Sequence, residues 1–143
     1  MHPVNSFLSI KSILKLDAWF LIIAGTLAGF ADLLSYFKGL GVWGQYFYAN
    51  PLTVGFFEAH ALAIIIGLFF IRTHKTGDFK FNGCIALLTH YVLGTSNLIW
   101  FDGFSMVGAE TMGIIATIIH FVFVSLYIII WFKPFIFKTN ERI

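Results

Sequence analysis

Four long apolar segments dominate this chain of 143 residues and constrain its fold more than any other feature. They cover about residues 17–37, 53–71, 83–101 and 111–132. Each is close to the ~20 residues that an α-helix needs to cross the hydrocarbon core of a bilayer. A closed β-barrel would need many more strands of alternating polarity. The segments therefore predict an all-α integral membrane protein with four transmembrane helices.

The composition supports this class and excludes others. Hydrophobic residues make up 59% of the chain and charged residues only 11%, less than half of the roughly 25% typical of soluble domains. High apolar content with a net charge of +2 also excludes intrinsic disorder. The single cysteine, Cys84, excludes an intrachain disulfide. Because the connections are short, we expect one domain over residues 1–143, an antiparallel up-down-up-down four-helix bundle.

The basic residues predict the orientation of the helices. Eight of the nine Lys and Arg residues lie in the N-terminal segment, the connection after the second apolar segment, or the C-terminal segment, and Lys38 is the exception. The positive-inside rule assigns that side to the cytoplasm. We therefore expect both termini to be cytoplasmic, in a membrane that we take to be the bacterial inner membrane. Spread over loops in this way, the basic residues do not indicate a nucleic-acid partner.

The first outer connection, residues 38–52, is rich in aromatic residues. It contains Trp43, Tyr46, Phe47 and Tyr48, and such side chains favour the headgroup level of a membrane. We expect this connection to lie on the membrane surface, as a short interfacial helix that ends at Asn50-Pro51.

Polar side chains within the apolar segments are the candidate functional residues, because placing ionisable groups in lipid is costly. Steps of three and four residues put small and polar side chains on one face of each predicted helix, as in Gly83, Ala86, His90 and Gly94. Such faces are typical of helix–helix interfaces in membranes. We expect the four faces to meet around a polar pocket in the outer half to the middle of the bilayer. Its predicted lining is Asp32, His60, His90, Asn97 and His120.

Glu58 is also a candidate functional residue, but its side chain is expected to point away from the predicted pocket. It lies two residues from His60, about 200° around a helix, so both side chains cannot face the bundle centre. Glu58 is expected to reach water near the interface, or to face another helix or a partner subunit.

The three intramembrane histidines predict a cofactor site. Neutral imidazole is a common metal ligand, and helix bundles hold metals and hemes in their cores. His60 and His120 suit the axial ligation of a b-type heme best, with His90 as the alternative partner, and the three together could hold a metal ion. The pocket would otherwise bind a quinone or another lipophilic molecule, with His90, Asp32, Glu58 and Asn97 as hydrogen-bonding or proton-relay groups.

Two other functions stay open at this point. Proton-coupled or small-molecule transport would require an oligomer, since four helices are few for a complete secondary transporter. A structural or accessory role in a larger membrane complex would use the polar side chains as interhelical hydrogen bonds, worth about 0.6–2 kcal/mol each.

The second apolar segment also shows a resemblance. Glu58, followed by Gly67-Leu68 and Arg72-Thr73, resembles the DoxX-like group of four-span bacterial membrane proteins. The resemblance rests on these residues and on the four-span layout, and it covers this one segment. No activity and no site residue is carried over from it.

Overall fold

The computed structural model describes residues 9–41 and 43–137, with side chains described up to residue 132. Over these ranges the chain is helical and contains no strand. The helices are α1 (Ile10–Lys38), α2 (Gly44–Phe47), α3 (Thr53–Thr76), α4 (Phe79–Ile99), α5 (Asp102–Met106) and α6 (Glu110–Phe137). The prediction of an all-helical chain is confirmed.

Three helices in the described part of the chain are long and apolar enough to cross a membrane. They are α1, α3 and residues 110–132 of α6. These helices indicate a membrane-embedded protein, as predicted. The fourth long helix, α4, has 21 residues, but polar side chains such as Asn82, His90 and Asn97 reduce its hydropathy.

Helix ends differ from the predicted boundaries because a helix continues past the point at which hydropathy falls. α1 begins at Ile10, not near residue 17, and Ser9 caps it: the backbone N–H of Ser12 donates to Oγ of Ser9 at 3.1 Å. Asp17 therefore lies inside α1. α3 extends beyond residue 71 through Arg72 to Gly77, which ends the helix with a φ of 81°.

Close backbone contacts join α1 to α3. A Cβ atom on Gly25 would lie 2.7 Å from the carbonyl oxygen of His60, and one on Gly67 would lie 2.8 Å from that of Ala18. Glycine permits this approach at both positions, as is common where helices pack in membranes. The other long pair, α4 and α6, packs around Gly94, whose Cβ would lie 3.2 Å from Cβ of His120.

The two helix pairs meet through α1, which also contacts α4 and α6. The core between them is apolar and includes Leu14, Leu21, Phe70 and Phe123. This packing leaves long apolar side chains exposed all around the helices, for example Leu27 and Ile65. Such exposure is expected where lipid is the solvent.

Short helices lie in the connection between α1 and α3 and in that between α4 and α6. α2 lies within the predicted interfacial segment, and its Phe47 is buried. The Asn50 side chain closes the following turn: its Nδ2 donates to the carbonyl of Tyr46, and its Oδ1 accepts from the backbone N–H of Leu52. α5 lies in the connection between α4 and α6 and was not predicted.

Candidate functional site

Asp32 of α1 and His60 of α3 form a hydrogen-bonded pair near the end of α1 that carries Lys38. Nδ1 of His60 lies 2.6 Å from Oδ2 of Asp32. The Asp32 side chain is completely buried, whereas that of His60 is 27% exposed. Gly29 lies beside the pair, and its missing Cβ would be 3.6 Å from Cβ of His60. The pair was predicted to share a pocket, and the structure brings the two side chains together.

The second carboxylate oxygen of Asp32 has a different environment. Oδ1 is buried and has no hydrogen-bond partner within the described residues. A buried polar atom without a partner costs about 1–3 kcal/mol. Such an atom calls for an explanation, and one explanation is that it receives a hydrogen bond from a bound molecule.

A cavity of about 210 Å³ adjoins Asp32 between α1 and α3. Its surface is largely apolar, and Asp32 is one of the residues that line it. Thr53, also in the wall, donates its hydroxyl to the carbonyl of Phe47. The other lining residues are Leu33, Tyr36, Phe37, Val54 and Phe57. We call this space the α1–α3 cavity.

A second polar cluster lies between α1, α4 and α6. Nε2 of His90 is 2.8 Å from Oδ1 of Asp17, and Nδ1 of His90 is 2.9 Å from Nδ1 of His120. The Tyr127 hydroxyl donates to Oδ2 of Asp17 at 2.7 Å. Asp17, His90 and Tyr127 are fully buried, and His120 is half-buried. We call these four residues the inner cluster.

Aromatic rings enclose His90 in this cluster. The imidazole stacks on Phe123, with ring centroids 4.5 Å apart and planes inclined by 11°. Phe20 lies on a tilted plane with its centroid 6.3 Å away. The ring of His90 is therefore fixed by two hydrogen bonds and by stacking.

The two clusters occupy different depths, which corrects the expectation of one shared pocket. Asp17 and Asp32 are fifteen residues apart on α1, which corresponds to roughly 22 Å along the helix axis. His60 bonds to Asp32, whereas His90 and His120 belong with Asp17. A small-residue stripe runs the whole length of a helix, so it shows which side chains share a face but not which of them meet.

Asn97 and Glu58 lie apart from both clusters. Asn97 lines a cavity of about 500 Å³ at the C-terminal end of α4, together with Trp43, Trp100 and Phe104. The structure thus separates Asn97 from the histidines with which it was predicted to line a pocket. Glu58 is exposed, in keeping with the expectation that it and His60 point in different directions.

The histidines do not converge on a metal centre. Among the described residues, no group of three His, Cys, Asp or Glu side chains is arranged to hold a metal ion. Both ring nitrogens of His90 are engaged. His60 and His120 belong to separate clusters, so this arrangement does not support heme ligation by that pair, which stays a prediction.

Sequence reasoning missed two members of the inner cluster. Asp17 is the first residue of the first apolar segment and Tyr127 lies within the fourth, and neither is among the predicted site residues. The signal for Asp17 was present: steps of four lead back from Gly25 through Leu21 to Asp17, on the face that also carries Asp32.

Comparisons of the chain with protein-family profiles, with curated proteins and with solved structures found no match. The resemblance of the second apolar segment to the DoxX-like group is therefore not supported by a family match. The geometry of the two clusters carries the functional argument.

Proposed function

We propose that the protein binds a lipophilic small molecule in the α1–α3 cavity, with Asp32 and His60 as its polar recognition groups. The observation that carries this proposal is the buried Oδ1 of Asp32, which has no partner within the described residues and belongs to a residue that lines the cavity. A ligand that donates a hydrogen bond to this oxygen would remove its desolvation penalty.

The cavity defines the chemistry of the ligand. Its wall is apolar apart from a few polar groups, a pattern typical of small-molecule sites. The volume of about 210 Å³ is below the roughly 300–1,000 Å³ of most such sites. We therefore infer a compact head group whose apolar tail lies in the surrounding lipid. A quinol head, which carries phenolic donors on an apolar ring, has this chemistry.

His60 would orient Asp32 and exchange protons with the ligand. With its Nδ1–H donated to Asp32, the neutral ring has its Nε2 lone pair available, and the side chain is 27% exposed. This lone pair can accept a proton from a bound head group. Electron transfer from such a head group stays a prediction from the sequence.

The test uses two matched probes with the full-length protein in lipid nanodiscs. One is an alkyl hydroquinone, and the other is its dimethyl ether, which lacks a donor. We expect the hydroquinone to bind more tightly than the ether. Asp32→Ala should weaken hydroquinone binding by about 10- to 100-fold, since a hydrogen bond to a charged group contributes about 1.5–3 kcal/mol.

Glu58→Gln is the matched control for Asp32→Ala. Glu58 is an exposed acid two residues from His60, and its substitution should leave binding unchanged. Equal binding of hydroquinone and ether, or equal losses in the two variants, would overturn the proposal. An accessory role in a larger complex predicts that result, together with co-purification of other subunits.

A bis-histidine heme is tested separately by the absorption spectrum of the purified protein. A Soret band that disappears in both His60→Ala and His120→Ala would overturn ligand binding in the α1–α3 cavity as the main function. A Soret band retained in His60→Ala would exclude His60 as an axial ligand.

Proton-coupled transport by an oligomer is the second candidate function. It is favoured by the position of Asp32 and His60, an acid–histidine pair within two candidate membrane-spanning helices. Proteoliposomes loaded with a pH-sensitive dye test it. Probe-dependent acidification that is lost in His60→Gln would support transport, and binding without any proton movement would exclude it.

We also propose that α4 crosses the membrane as a fourth span of an antiparallel bundle, with both termini in the cytoplasm of a bacterial inner-membrane protein. The support is the packing of α4 along α6 and the location of the basic residues. In a Cys84→Ser background, Lys38→Cys and Asp102→Cys should react with an impermeant maleimide on intact cells. Lys75→Cys should react only after permeabilisation. Any other pattern would overturn this topology.

A further inference from the structure

With Asp17 ionised, the inner cluster has two arrangements of protons that satisfy its hydrogen bonds. In the first, His90 is neutral: its Nε2–H donates to Asp17, and the Nδ1–H of His120 donates to Nδ1 of His90. In the second, His90 is an imidazolium that donates to both neighbours, and His120 carries its own proton on Nε2. The Tyr127 hydroxyl donates to Asp17 in both arrangements.

The arrangements differ in net charge. The first leaves the uncompensated negative charge of Asp17 in the core, and the second is neutral overall. An isolated charge is expensive to bury, so the second arrangement is favoured over the first when a proton is available.

No other described charge is placed to compensate Asp17. The groups that face the cluster are Asp17 from α1, His90 from α4, and His120 and Tyr127 from α6. On α3, Glu58 is exposed and His60 bonds to Asp32. His74, near the C-terminal end of α3, packs against Phe79. Every Lys and Arg side chain in the described part is exposed.

Stacking also favours a positive charge on His90. The face of its ring lies against Phe123, with centroids 4.5 Å apart. A cation over an aromatic face is attracted by the ring quadrupole, and the attraction increases where water is excluded. His90 is 0% exposed, so it meets this condition.

A relay through His120 interconverts the two arrangements without rotation of either ring. The Nδ1 proton of the His90 imidazolium moves to Nδ1 of His120, while the Nε2 proton of His120 leaves to a water molecule. One proton is released, His90 becomes neutral, and the bond to Asp17 persists. The reverse sequence loads a proton from hydronium. His120 is suited to this exchange because it is the one half-buried member of the cluster.

We infer that the inner cluster is an intramembrane proton-binding site that loads and releases one proton through His120. Asp17 supplies the counter-charge, His90 holds the proton, and Tyr127 completes the hydrogen bonding of the carboxylate. The inference does not rest on ligand binding in the α1–α3 cavity, which lies at a different depth.

Magnetic resonance of isotope-labelled histidine nitrogens in the full-length protein in nanodiscs tests the charge on His90. At neutral pH we expect both ring nitrogens of His90 to be protonated. In Asp17→Asn, which removes the counter-charge, one nitrogen should lose its proton. Asp78→Asn is the control, since Asp78 is an exposed acid that precedes α4, and it should leave His90 doubly protonated.

A neutral His90 in the wild-type protein would overturn the inference, and so would an imidazolium that persists in Asp17→Asn. The wild-type spectrum needs no variant, so the test stands even where Asp17→Asn does not fold. Neither readout involves a ligand, so both are independent of binding in the α1–α3 cavity.

Deuterium exchange at the His90 ring tests the relay. His120→Asn keeps a hydrogen-bonding side chain beside His90 but lacks a second ring nitrogen. Exchange should slow by at least about tenfold, because it then requires local opening of a buried element. His74→Asn is the control and should leave the rate unchanged. Equal exchange rates in wild-type protein and His120→Asn would overturn the role of His120.

Discussion

Nε2 of His90 and Oδ1 of Asp17 lie 2.8 Å apart, although 73 residues separate them in the chain. This contact joins α4 to α1, and the Tyr127 hydroxyl adds α6 by donating to the same carboxylate. α3 is attached to α1 differently, through close backbone contacts at Gly25 and Gly67 and through the hydrogen bond between His60 and Asp32. We expect the two kinds of attachment to respond differently to substitution.

Tyr127→Phe tests the hydrogen bond to Asp17. The ring remains, but Oδ2 of Asp17 loses its donor inside the core. We expect the free energy of unfolding to fall by about 1–3 kcal/mol, the usual cost of leaving a buried group unsatisfied. Unfolding in mixed detergent micelles measures it. Tyr91→Phe, in an exposed tyrosine of α4, should have little effect. Equal effects of the two substitutions would contradict this role of Tyr127.

Gly25→Ala and Gly67→Ala test the contact between α1 and α3. Each new Cβ would lie under 3.0 Å from a backbone carbonyl oxygen, so the helices must move apart. Overpacking of this kind costs about 1–3 kcal/mol. Gly55→Ala in α3 is the control, since a Cβ there has no neighbour within 4 Å. Stability equal to that of the control would show that the two helices do not approach this closely.

The helix faces could be predicted from the sequence, but their partners could not. The stripe through His90 and Gly94 was predicted to be a helix interface, and both residues are buried. Periodicity does not say which two faces pack together or at what depth, so Asp32, His90 and Asn97 were assigned to one pocket. Asp17 was missed because a charged residue beside two exposed lysines has the appearance of a helix end.

A double-mutant cycle of Asp32→Asn and His60→Gln tests the pair beside the α1–α3 cavity. The side chains are 2.6 Å apart and partly shielded from solvent. We expect a coupling energy of about 0.5–3 kcal/mol in the free energy of unfolding, as is usual for residues in contact. The parallel cycle of Glu58→Gln and His60→Gln should give no coupling. Additive effects of the Asp32 and His60 substitutions would show that the pair does not form.

The inner cluster should stabilise the fold less than its burial suggests. Asp17→Leu alone leaves His90 and Tyr127 without their acceptor, and breaking a buried ion pair in this way costs about 3–5 kcal/mol. The triple variant Asp17→Leu, His90→Phe, Tyr127→Phe removes these polar partners together, and apolar replacement of a buried pair is often nearly neutral. We therefore expect the triple variant to be more stable than Asp17→Leu.

The triple variant and the wild-type protein must be compared in both the free energy of unfolding and proton uptake. If the triple variant unfolds at a free energy near that of wild type, the three replaced polar residues are not required for stability, and proton binding becomes the reason for their presence. Proteoliposomes with an entrapped pH-sensitive dye should then show lower proton uptake for the triple variant than for wild type. A triple variant less stable than Asp17→Leu would instead show that the cluster mainly holds α1, α4 and α6 together, since its hydrogen bonds would then contribute more than the apolar contacts that replace them.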